Sequence, residues 1–304
     1  MRWIVPDFYG DFHCIASKCK DSCCIGWEID IDGETAEKYR ALSGELGEKL
    51  RESIAWEEPA HFILAEKERC PFLDAQNLCR IISAQGEEAL CEICREHPRF
   101  HEWYGKWRES GVGMCCEEAC RLLLSSEAPL GFIERDDEAP EEEFDGDEEL
   151  LDLMLRARER AYAVLTDRGV PFWERVTRFR AEMQRMQDEL DGFPPTDEMP
   201  DEPDDEALLQ RMRELEPVDE NWTAMVRRAA HCGVPQTVSD NLPERAAVYL
   251  CFRWLLRAAF DGDLISRAEF IAEFLYMLRL LLARGAADLA DALRLLSKEL
   301  EYME

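Results

Sequence analysis

The 304-residue sequence lacks any long uninterrupted apolar run. Its first apolar residues give way to Pro6 and Asp7, and the most apolar later stretch, residues 248–260, contains Arg253 and Arg257. A secretory signal needs a continuous apolar segment, and a membrane-spanning helix needs ~20 apolar residues. We therefore expect a cytoplasmic protein without a membrane span, in a compartment that keeps thiols reduced.

Positive charge is scarce as well. The chain has 36 lysine and arginine residues against 66 aspartate and glutamate residues, a formal net charge of -30. Surfaces that bind DNA or RNA cluster Lys and Arg to neutralise phosphates, so we expect no nucleic-acid partner. An acidic surface keeps a protein soluble, and it also permits long-range attraction of a lysine-bearing partner.

Several common catalytic motifs are missing. The sequence has no glycine-rich turn after a strand, no Walker loop and no Gly-x-Ser-x-Gly elbow, which leaves Rossmann-type enzymes, P-loop NTPases and α/β-hydrolases unsupported. The Cys-x3-Cys-x2-Cys spacing of radical enzymes that cleave S-adenosylmethionine is also absent, because Cys19 and Cys23 are followed by Gly26 where a third thiol would stand.

Cysteine, by contrast, is abundant, and eleven of the thirteen cysteines lie before residue 121. In a reducing compartment this density favours metal ligation over a disulfide framework. Zinc and iron–sulfur clusters both accept four thiolates, and spacing alone does not separate them. The adjacent pair Cys23 and Cys24 is expected to point in different directions if its backbone is extended. A structural zinc knuckle, an iron–sulfur cluster and a redox-active thiol group all remain open.

The first half of the chain predicts short elements around these cysteines. Alternating residues 27–32 indicate a short strand, and an apolar stripe predicts one helix over 34–55. Residues 70–79 have the turn-forming composition of a hairpin or knuckle that brings its end thiols together. A helical segment leads to Cys91 and Cys94 and should stop at Pro98.

The second half is helical in pattern. The acidic residues 134–149 predict a linker, and an acidic, proline-rich break is expected at 192–204. We therefore predict a mainly α protein with a cysteine-rich metal-binding region with short β elements at 1–133, the linker, and a helical region at 150–304. Ser266 and Glu269 suggest a capping box. The predicted helices, including a short one after Cys116, are 117–124, 150–168, 171–191, 205–216, 219–231, 244–261, 266–284 and 286–302.

Taken together, four segments of the first half resemble the flagellin lysine-N-methylase family, in order and context as well as in their cysteines. A weaker resemblance extends over residues 241–282. The four segments read Phe12-x-Cys14-Ile-x3-Cys19-Lys-Asp-Ser-Cys23-Cys24-x-Gly26-Trp27, Cys70-Pro-Phe-Leu-x4-Leu-Cys79-x-Ile81, Leu90-x3-Cys94-x3-Pro98-Arg99 and Cys116-x-Glu118-Ala-x-Arg121-Leu.

The resemblance implies a protein-lysine N-methyltransferase that transfers methyl groups from S-adenosylmethionine to lysine side chains of flagellin, its protein partner. It also implies a thiolate-bound iron–sulfur cluster of the 4Fe–4S type, with zinc as the alternative. Cys91, Cys115 and Cys120 fall outside the family pattern and are interpreted as bystanders. The cysteines that match as metal ligands are Cys14, Cys19, Cys23, Cys24, Cys70, Cys79, Cys94 and Cys116.

The resemblance assigns no catalytic residue and no donor pocket. Methyl transfer to lysine requires a neutral amine although the ordinary pKa of lysine is ~10.4, so the site must desolvate the ammonium group or supply a base. Trp27 and Tyr104 are candidate aromatic walls that are more often packing residues, and Arg99 is a candidate partner for the donor carboxylate. The alternatives are a non-catalytic zinc- or iron-chelating binding or assembly protein and a redox sensor.

Overall fold

The computed structural model describes residues 1–20, 22–136, 143–231, 233–234 and 239–301. The chain forms two compact units. The cysteine-rich unit consists of His13–Phe100 and Cys116–Glu118, and the helical unit consists of Met1–Phe12, His101–Cys115 and Ala119–Glu304. The predicted linker at 134–149 stays a prediction, since its residues 137–142 lie outside the described residues.

The mainly α class with short β elements near the cysteines is confirmed, since helices make up 54% of the described residues and strands 11%. The strands in the described residues are β1 Arg2–Pro6, β2 Asp30–Ile31, β3 Ile54–Ala55, β4 Ala60–Phe62, β5 Arg99–Trp103, β6 Trp107–Val112 and β7 Phe132–Asp136. The helices of the first half are α1 Gly33–Ala41, α2 Gly44–Glu52, α3 Arg80–Gln85, α4 Glu92–Glu96 and α5 Glu117–Leu123. Those of the second half are α6 Glu148–Leu165, α7 Phe172–Leu190, α8 Asp205–Glu214, α9 Glu220–Ala229, α10 Asn241–Trp254, α11 Leu264–Ala283 and α12 Leu289–Leu300.

The cysteine-rich unit is built on a small antiparallel sheet in the order β2-β4-β3. The single helix predicted over 34–55 is wrong, because α1 and α2 are separated by extended Leu42 and the chain re-enters the helix at Gly44 with a φ of +83°. Arg51 bridges the break by donating to the carbonyl of Leu42 at 2.7 Å. The apolar stripe nevertheless predicts core residues correctly, since Tyr39 and Leu50 are buried.

The helical unit holds β1 parallel to β6 and antiparallel to β7, in a four-stranded sheet of order β5-β6-β1-β7. Its seven long helices lie close to their predicted ranges, with two differences at α10 and α11. A 3-10 turn at Leu255–Ala259 follows α10 where one helix was expected to continue. The predicted capping box is wrong, because Asp263 caps α11 by accepting from the backbone N–H of Ser266 at 3.0 Å.

Buried polar groups fasten α10 and α6 to the strands of the helical unit. The hydroxyl of Tyr249 on α10 bonds both to the N–H of Val112, at 2.6 Å, and to its carbonyl, at 2.7 Å. On α6, Arg158 forms a bidentate ion pair with Glu109 of β6. Its two terminal nitrogens each donate to one carboxylate oxygen at 2.7 Å. Within the described residues, no helix has both the length and the apolar character needed to cross a bilayer.

Candidate metal centre

All eight cysteines that the sequence proposes as metal ligands lie in the cysteine-rich unit. Cys91 lies there as well, so nine of the thirteen cysteines of the chain share this unit. The unit brings together four stretches that are widely separated in sequence, which is the first requirement for a shared ligand shell.

Backbone hydrogen bonds hold the first two cysteine segments side by side. The N–H of Cys70 donates to the carbonyl of Cys24 at 2.8 Å, and the N–H of Gly26 donates to the carbonyl of Glu68 at 3.0 Å. Gly26 has a φ of +82°, a conformation that residues with a Cβ rarely adopt. The glycine therefore lets the chain turn away directly after the adjacent thiols.

The second segment closes on itself as the sequence predicts. Leu73 and Cys79 form an antiparallel bridge, and the carboxylate of Asp74 accepts from the N–H groups of Gln76 and Leu78 inside the turn. This Asp-centred turn returns the chain so that Cys70 and Cys79 lie within electrostatic range of each other. Cys79 immediately precedes α3.

Cys91 and Cys94 contact each other through a hydrogen bond between their thiols. The Cys94 thiol donates a hydrogen bond to Cys91, which lowers the pKa of the Cys91 thiol and raises the pKa of the Cys94 thiol. Cys91 is fully buried and stands just before α4, with Cys94 inside the first turn. Cys24 and Cys70 lie close enough to raise the pKa of Cys94 further through their charges.

The adjacent thiols Cys23 and Cys24 also contact each other, an arrangement to which the expectation for an extended backbone does not apply. They stand in a turn rather than in extended backbone, and a hydrogen bond from Cys24 to Cys23 raises the pKa of the Cys24 thiol. Burial and the charges of Cys70 and Cys79 raise it further. Burial is also the main cause of the raised pKa of Cys70.

These pKa directions describe a group of six thiols, Cys23, Cys24, Cys70, Cys79, Cys91 and Cys94, which we call the thiol group. The charges of neighbouring thiolates raise the pKa values of Cys24, Cys70 and Cys94, because thiolates in a half-buried site repel, whereas the hydrogen bond from Cys94 lowers that of Cys91. A cation among them would remove that penalty, and metals bind cysteine as the thiolate. The donor set therefore fits a thiolate-binding metal ion or cluster.

The remaining proposed ligands, Cys14, Cys19 and Cys116, lie in the same unit. Cys14 is exposed and its sulfur accepts from the N–H of Ala16 at 3.4 Å. Cys19 and Cys116 are half-buried. The segments that carry them are joined, since the N–H of Lys20 donates to the carboxylate of Glu117 at 2.6 Å.

The thiol group packs against the hydrophobic core of the cysteine-rich unit. Cys70 and Cys91 belong to that core, and Cys24, Cys79 and Cys94 pack against it. The hydroxyl of Tyr39 donates to the carbonyl of Ala89 at 2.8 Å. Burial raises the pKa of Tyr39, and the nearby charges of Cys91 and Cys94 raise it further.

Asp32 couples the strand β2 to the helix that carries Cys94. One carboxylate oxygen caps α1 by accepting from Thr35 N–H, and the other accepts from the N–H of Glu92, both at 2.9 Å. Burial alone would raise the pKa of Asp32, but these hydrogen bonds lower it below its ordinary value. This carboxylate thus fixes where α4 starts.

The spacing of possible ligand atoms is informative. A tetrahedral zinc site with Zn–S bonds of 2.3 Å places its sulfur atoms about 3.8 Å apart. Among the described residues, the group of three or more ligand side chains whose atoms all lie within 4.8 Å of one another is Glu28, Asp30 and His61. No three thiols of the described residues lie that close to one another.

Cys91 is the functional candidate that the sequence reasoning passed over as a bystander. The signal was present in the Cys91-x2-Cys94 spacing, which is common among metal ligands. Of the other cysteines, Cys120 is buried in the helical unit and donates from its sulfur to the carbonyl of Met114 at 2.9 Å, and Cys115 and Cys251 are buried there too. Cys232 lies outside the described residues.

The candidate residues for binding the methyl donor and the amine, Trp27, Tyr104 and Arg99, do not all belong to the same unit. Trp27 is half-buried in the cysteine-rich unit, where its ring lies 6.5 Å from that of His97. Tyr104 is buried in the helical unit against Trp107, Phe144 and Phe260. Arg99 is half-buried at the start of β5. Trp27 and Tyr104 therefore serve as packing residues within separate units.

The chain is a distant homologue of lysine-N-methylases. It is 29% identical to "Lysine-N-methylase" of Salmonella choleraesuis (strain SC-B67) and to that of Salmonella typhimurium (strain LT2) over 144 residues, 43% of this chain. It is 27% identical over 137 residues to "Flagellar biosynthetic protein FliU" of Salmonella muenchen, which covers 81% of that protein.

The match spans only about a third of the length of the lysine-N-methylases, 34%. No model of a protein family matches the chain, and no solved structure matches it.

Proposed function

We propose that this protein methylates lysine side chains of flagellin, with S-adenosylmethionine as the methyl donor. The observation that carries the proposal is the distant homology to lysine-N-methylases and to a flagellar biosynthetic protein. The net charge of -30 is compatible with it, because an acidic protein attracts lysine-rich surfaces over long distances.

The reaction moves one methyl group from the donor sulfonium to the lysine Nε. The amine must first lose a proton, since only its neutral form has a lone pair to attack the methyl carbon. The carbon–sulfur bond then breaks as the carbon–nitrogen bond forms, and the electron pair stays on sulfur as a neutral thioether. Such a transfer depends on holding donor and amine in line.

We further propose that the thiol group holds a metal centre, with Cys23, Cys24, Cys70, Cys79, Cys91 and Cys94 as the candidate ligands and Cys14, Cys19 and Cys116 as additional ones. We take an iron–sulfur cluster as the first candidate because the family resemblance implies one, and zinc is the alternative, since both accept four thiolates. When bound, it would neutralise the thiolates and join loops distant in sequence.

The test is co-expression of this protein with its cognate flagellin, followed by mass spectrometry of the flagellin. We expect mass increments of whole methyl groups on lysine residues with the wild type and none with Cys23→Ser. Cys251→Ser is the matched control, since Cys251 is buried in the helical unit and should leave methylation unchanged.

Metal analysis of anaerobically purified protein separates the alternatives. Iron and sulfide together, with a brown colour, would support the cluster. Zinc alone in a colourless protein that leaves flagellin unmethylated would instead support a structural metal in a binding or assembly protein.

A further inference from the structure

An open cleft in the helical unit gathers charged and aromatic side chains away from the thiol group. Its volume is about 400 Å³, and its lining residues are Glu102, Trp254, Arg257, Phe260, Asp261 and Arg267. Pockets for small ligands and side chains usually have volumes of ~300–1,000 Å³. Its two carboxylates are balanced by two arginines, and its two aromatic rings are surfaces that a cation on an apolar stem can contact.

Both aromatic walls are held in place by their neighbours. The indole N–H of Trp254 donates to the carboxylate of Glu301 at 3.1 Å, and its ring lies edge-on to Phe270 at 5.2 Å. Phe260 lies against Tyr104, at 6.1 Å between ring centroids, and is 43% exposed. Phe260 therefore keeps an exposed side, and Trp254 is half-buried.

Two arginines already lie near Trp254 and Glu102. The guanidinium of Arg253 lies 5.1 Å from the centre of the Trp254 ring and pairs with Glu301 at 3.0 Å, which leaves Arg257 as the arginine paired with Glu102. The guanidinium of Arg257 lies 3.5 Å from the carboxylate of Glu102 and 5.1 Å from the centre of the Trp254 ring. The Arg257 side chain is 44% exposed, whereas that of Glu102 is 26% exposed. An ion pair this open is weak, so another cation can replace Arg257 at little cost.

The second carboxylate of the cleft is already engaged. Asp261 pairs with Arg267 at 2.5 Å and also accepts from the N–H of Asp263 at 3.0 Å. Arg267 in turn pairs with Asp263 at 3.4 Å. Glu102 is thus the carboxylate that an incoming cation would meet.

We propose that this cleft receives a lysine side chain whose ammonium group replaces the Arg257 guanidinium between the Glu102 carboxylate and the face of Trp254. The lysine methylenes then lie along Phe260. The choice of lysine as the cation rests on the proposed function, while the cleft's affinity for a cation rests on its own geometry. Arg257 acts as an internal competitor that keeps the site closed until a substrate arrives.

The ionisation of Glu102 sets the pH dependence of this site. Burial raises the pKa of Glu102, the charges of Arg257 and Arg253 oppose that rise, and Glu109 adds to it. The Tyr104 hydroxyl is also coupled to Glu102 electrostatically, and its pKa is raised by burial. Only ionised Glu102 attracts a cation, so binding should strengthen as the pH rises through its raised pKa. A carboxylate with a raised pKa also accepts a proton from lysine more readily.

The test uses Nα-acetyl-lysine methylamide as the probe and the uncharged Nα-acetyl-norleucine methylamide as its control. Binding is followed by the indole ¹⁵N–¹H resonance of Trp254, which is assigned by its loss in Trp254→Phe. We expect the lysine probe to shift this resonance and the norleucine probe to leave it in place. Titrations at several pH values should give tighter binding at higher pH until Glu102 is fully ionised.

Two variants are expected to act in opposite directions. Glu102→Gln should weaken lysine binding about tenfold, the usual scale for one hydrogen bond between charged groups. Arg257→Gln should strengthen it, because the competitor is gone. Glu134→Gln is the matched control, since this exposed carboxylate of the same unit also pairs with an arginine, Arg2, at 3.6 Å, outside the cleft.

Three outcomes would each overturn the proposal. They are a Trp254 resonance that the lysine probe does not shift, equal effects of Glu102→Gln and Glu134→Gln on binding, and weaker binding by Arg257→Gln. Circular dichroism confirms that the variants are folded, and Arg257→Gln, at an exposed side chain, keeps the test decisive if Glu102→Gln unfolds. Lysine binding without flagellin methylation would overturn the proposed function and leave the cleft assignment standing. Methylation at the wild-type rate by Glu102→Gln would overturn the cleft assignment alone.

Discussion

At the scale of single residues, the chemistry of the cysteine-rich unit depends on which thiols meet. Cys91 is fully buried, accepts a hydrogen bond from Cys94 and has a lowered thiol pKa. A thiol that ionises more easily than its neighbours is the one that a metal engages first. Cys91 therefore has the properties of a ligand although the family resemblance gave it no role.

We predict that Cys91→Ser lowers the bound metal per protein, because losing one ligand weakens a metal site by at least about tenfold. Metal content is measured by inductively coupled plasma mass spectrometry after anaerobic purification. Cys120→Ser is the control: Cys120 is also buried, but it donates to the carbonyl of Met114 in the helical unit, and a serine hydroxyl can make the same bond. Equal metal loss in both variants would contradict the assignment.

Asp32 gives a second prediction at this scale. Asp32→Ala should lower the free energy of unfolding by about 1 kcal/mol through the lost cap of α1, and it also releases the N–H of Glu92. Asp32→Asn should have a smaller effect, since asparagine caps a helix equally well but its single oxygen cannot serve both N–H groups. Urea denaturation measures both.

The pH dependence of the Asp32 contribution follows from its lowered pKa. A carboxyl with a lower pKa in the folded state contributes stability above its unfolded pKa of ~3.9 and loses it as the pH falls through the folded value. The difference between wild type and Asp32→Asn should therefore shrink on acidification through that range. A difference that stays constant with pH would show that the charge of Asp32 plays no part.

At the scale of elements, α10 is the helix on which the polar interior of the helical unit is built. Glu244 on α10 is 1% exposed and pairs with Arg175 of α7 at 2.7 Å and with Arg168 at 2.8 Å. The next residue, Arg245, donates to the carbonyls of Leu123 and Ala128. A buried ion pair adds little net stability while complete, but losing one partner strands the other charge.

Glu244→Gln should accordingly lower the free energy of unfolding by about 3–5 kcal/mol, because Arg175, itself 1% exposed, keeps its charge without a counterion. Chemical denaturation followed by far-ultraviolet circular dichroism measures the loss. Glu174→Gln is the control, since Glu174 forms an exposed pair with Arg178 on α7 and should change stability by only a few tenths of a kcal/mol. Similar losses in the two variants would refute the role given to burial.

At the scale of the whole molecule, the two units are stabilised by different means. The helical unit buries long apolar helices such as α11, of which twelve residues are buried. The cysteine-rich unit has short helices of five to nine residues and two-to-three-residue strands around its thiol group. Short elements depend strongly on whatever joins them, and a metal bound only by the folded state adds its binding energy to stability.

We therefore predict that metal removal by a chelator exposes the cysteine-rich unit selectively. Amide hydrogen exchange should accelerate in His13–Phe100 and stay slow in α10 and α11. Mass spectrometry of peptic fragments resolves the two sets of amides. Uniform acceleration, or none, would contradict a metal confined to the thiol group.

The sequence by itself determined the class of fold and most of the helices. Apolar stripes gave α6 to α9 and α12 close to their observed ends, because burial of one face imposes a period on local sequence. Composition also limited the chemistry, since thirteen cysteines and a net charge of -30 favour thiolate metal sites over nucleic-acid binding. Motif order pointed to lysine-N-methylases.

Only the tertiary structure decided which thiols and charges meet. Leu42 and Gly44 break the predicted helix because the carbonyl of Leu42 is satisfied by Arg51, from a later turn. Asp263 rather than Ser266 is the N-cap of α11. Both residue types cap helices well, so the local sequence does not show which of them caps this one. The spacing of Cys91 and Cys94 is visible in the sequence, but only the structure shows that their thiols share a hydrogen bond. Glu102 lies near Arg257 and Trp254, more than 150 positions away in sequence, because contacts of that kind come from chain packing, which no local period encodes.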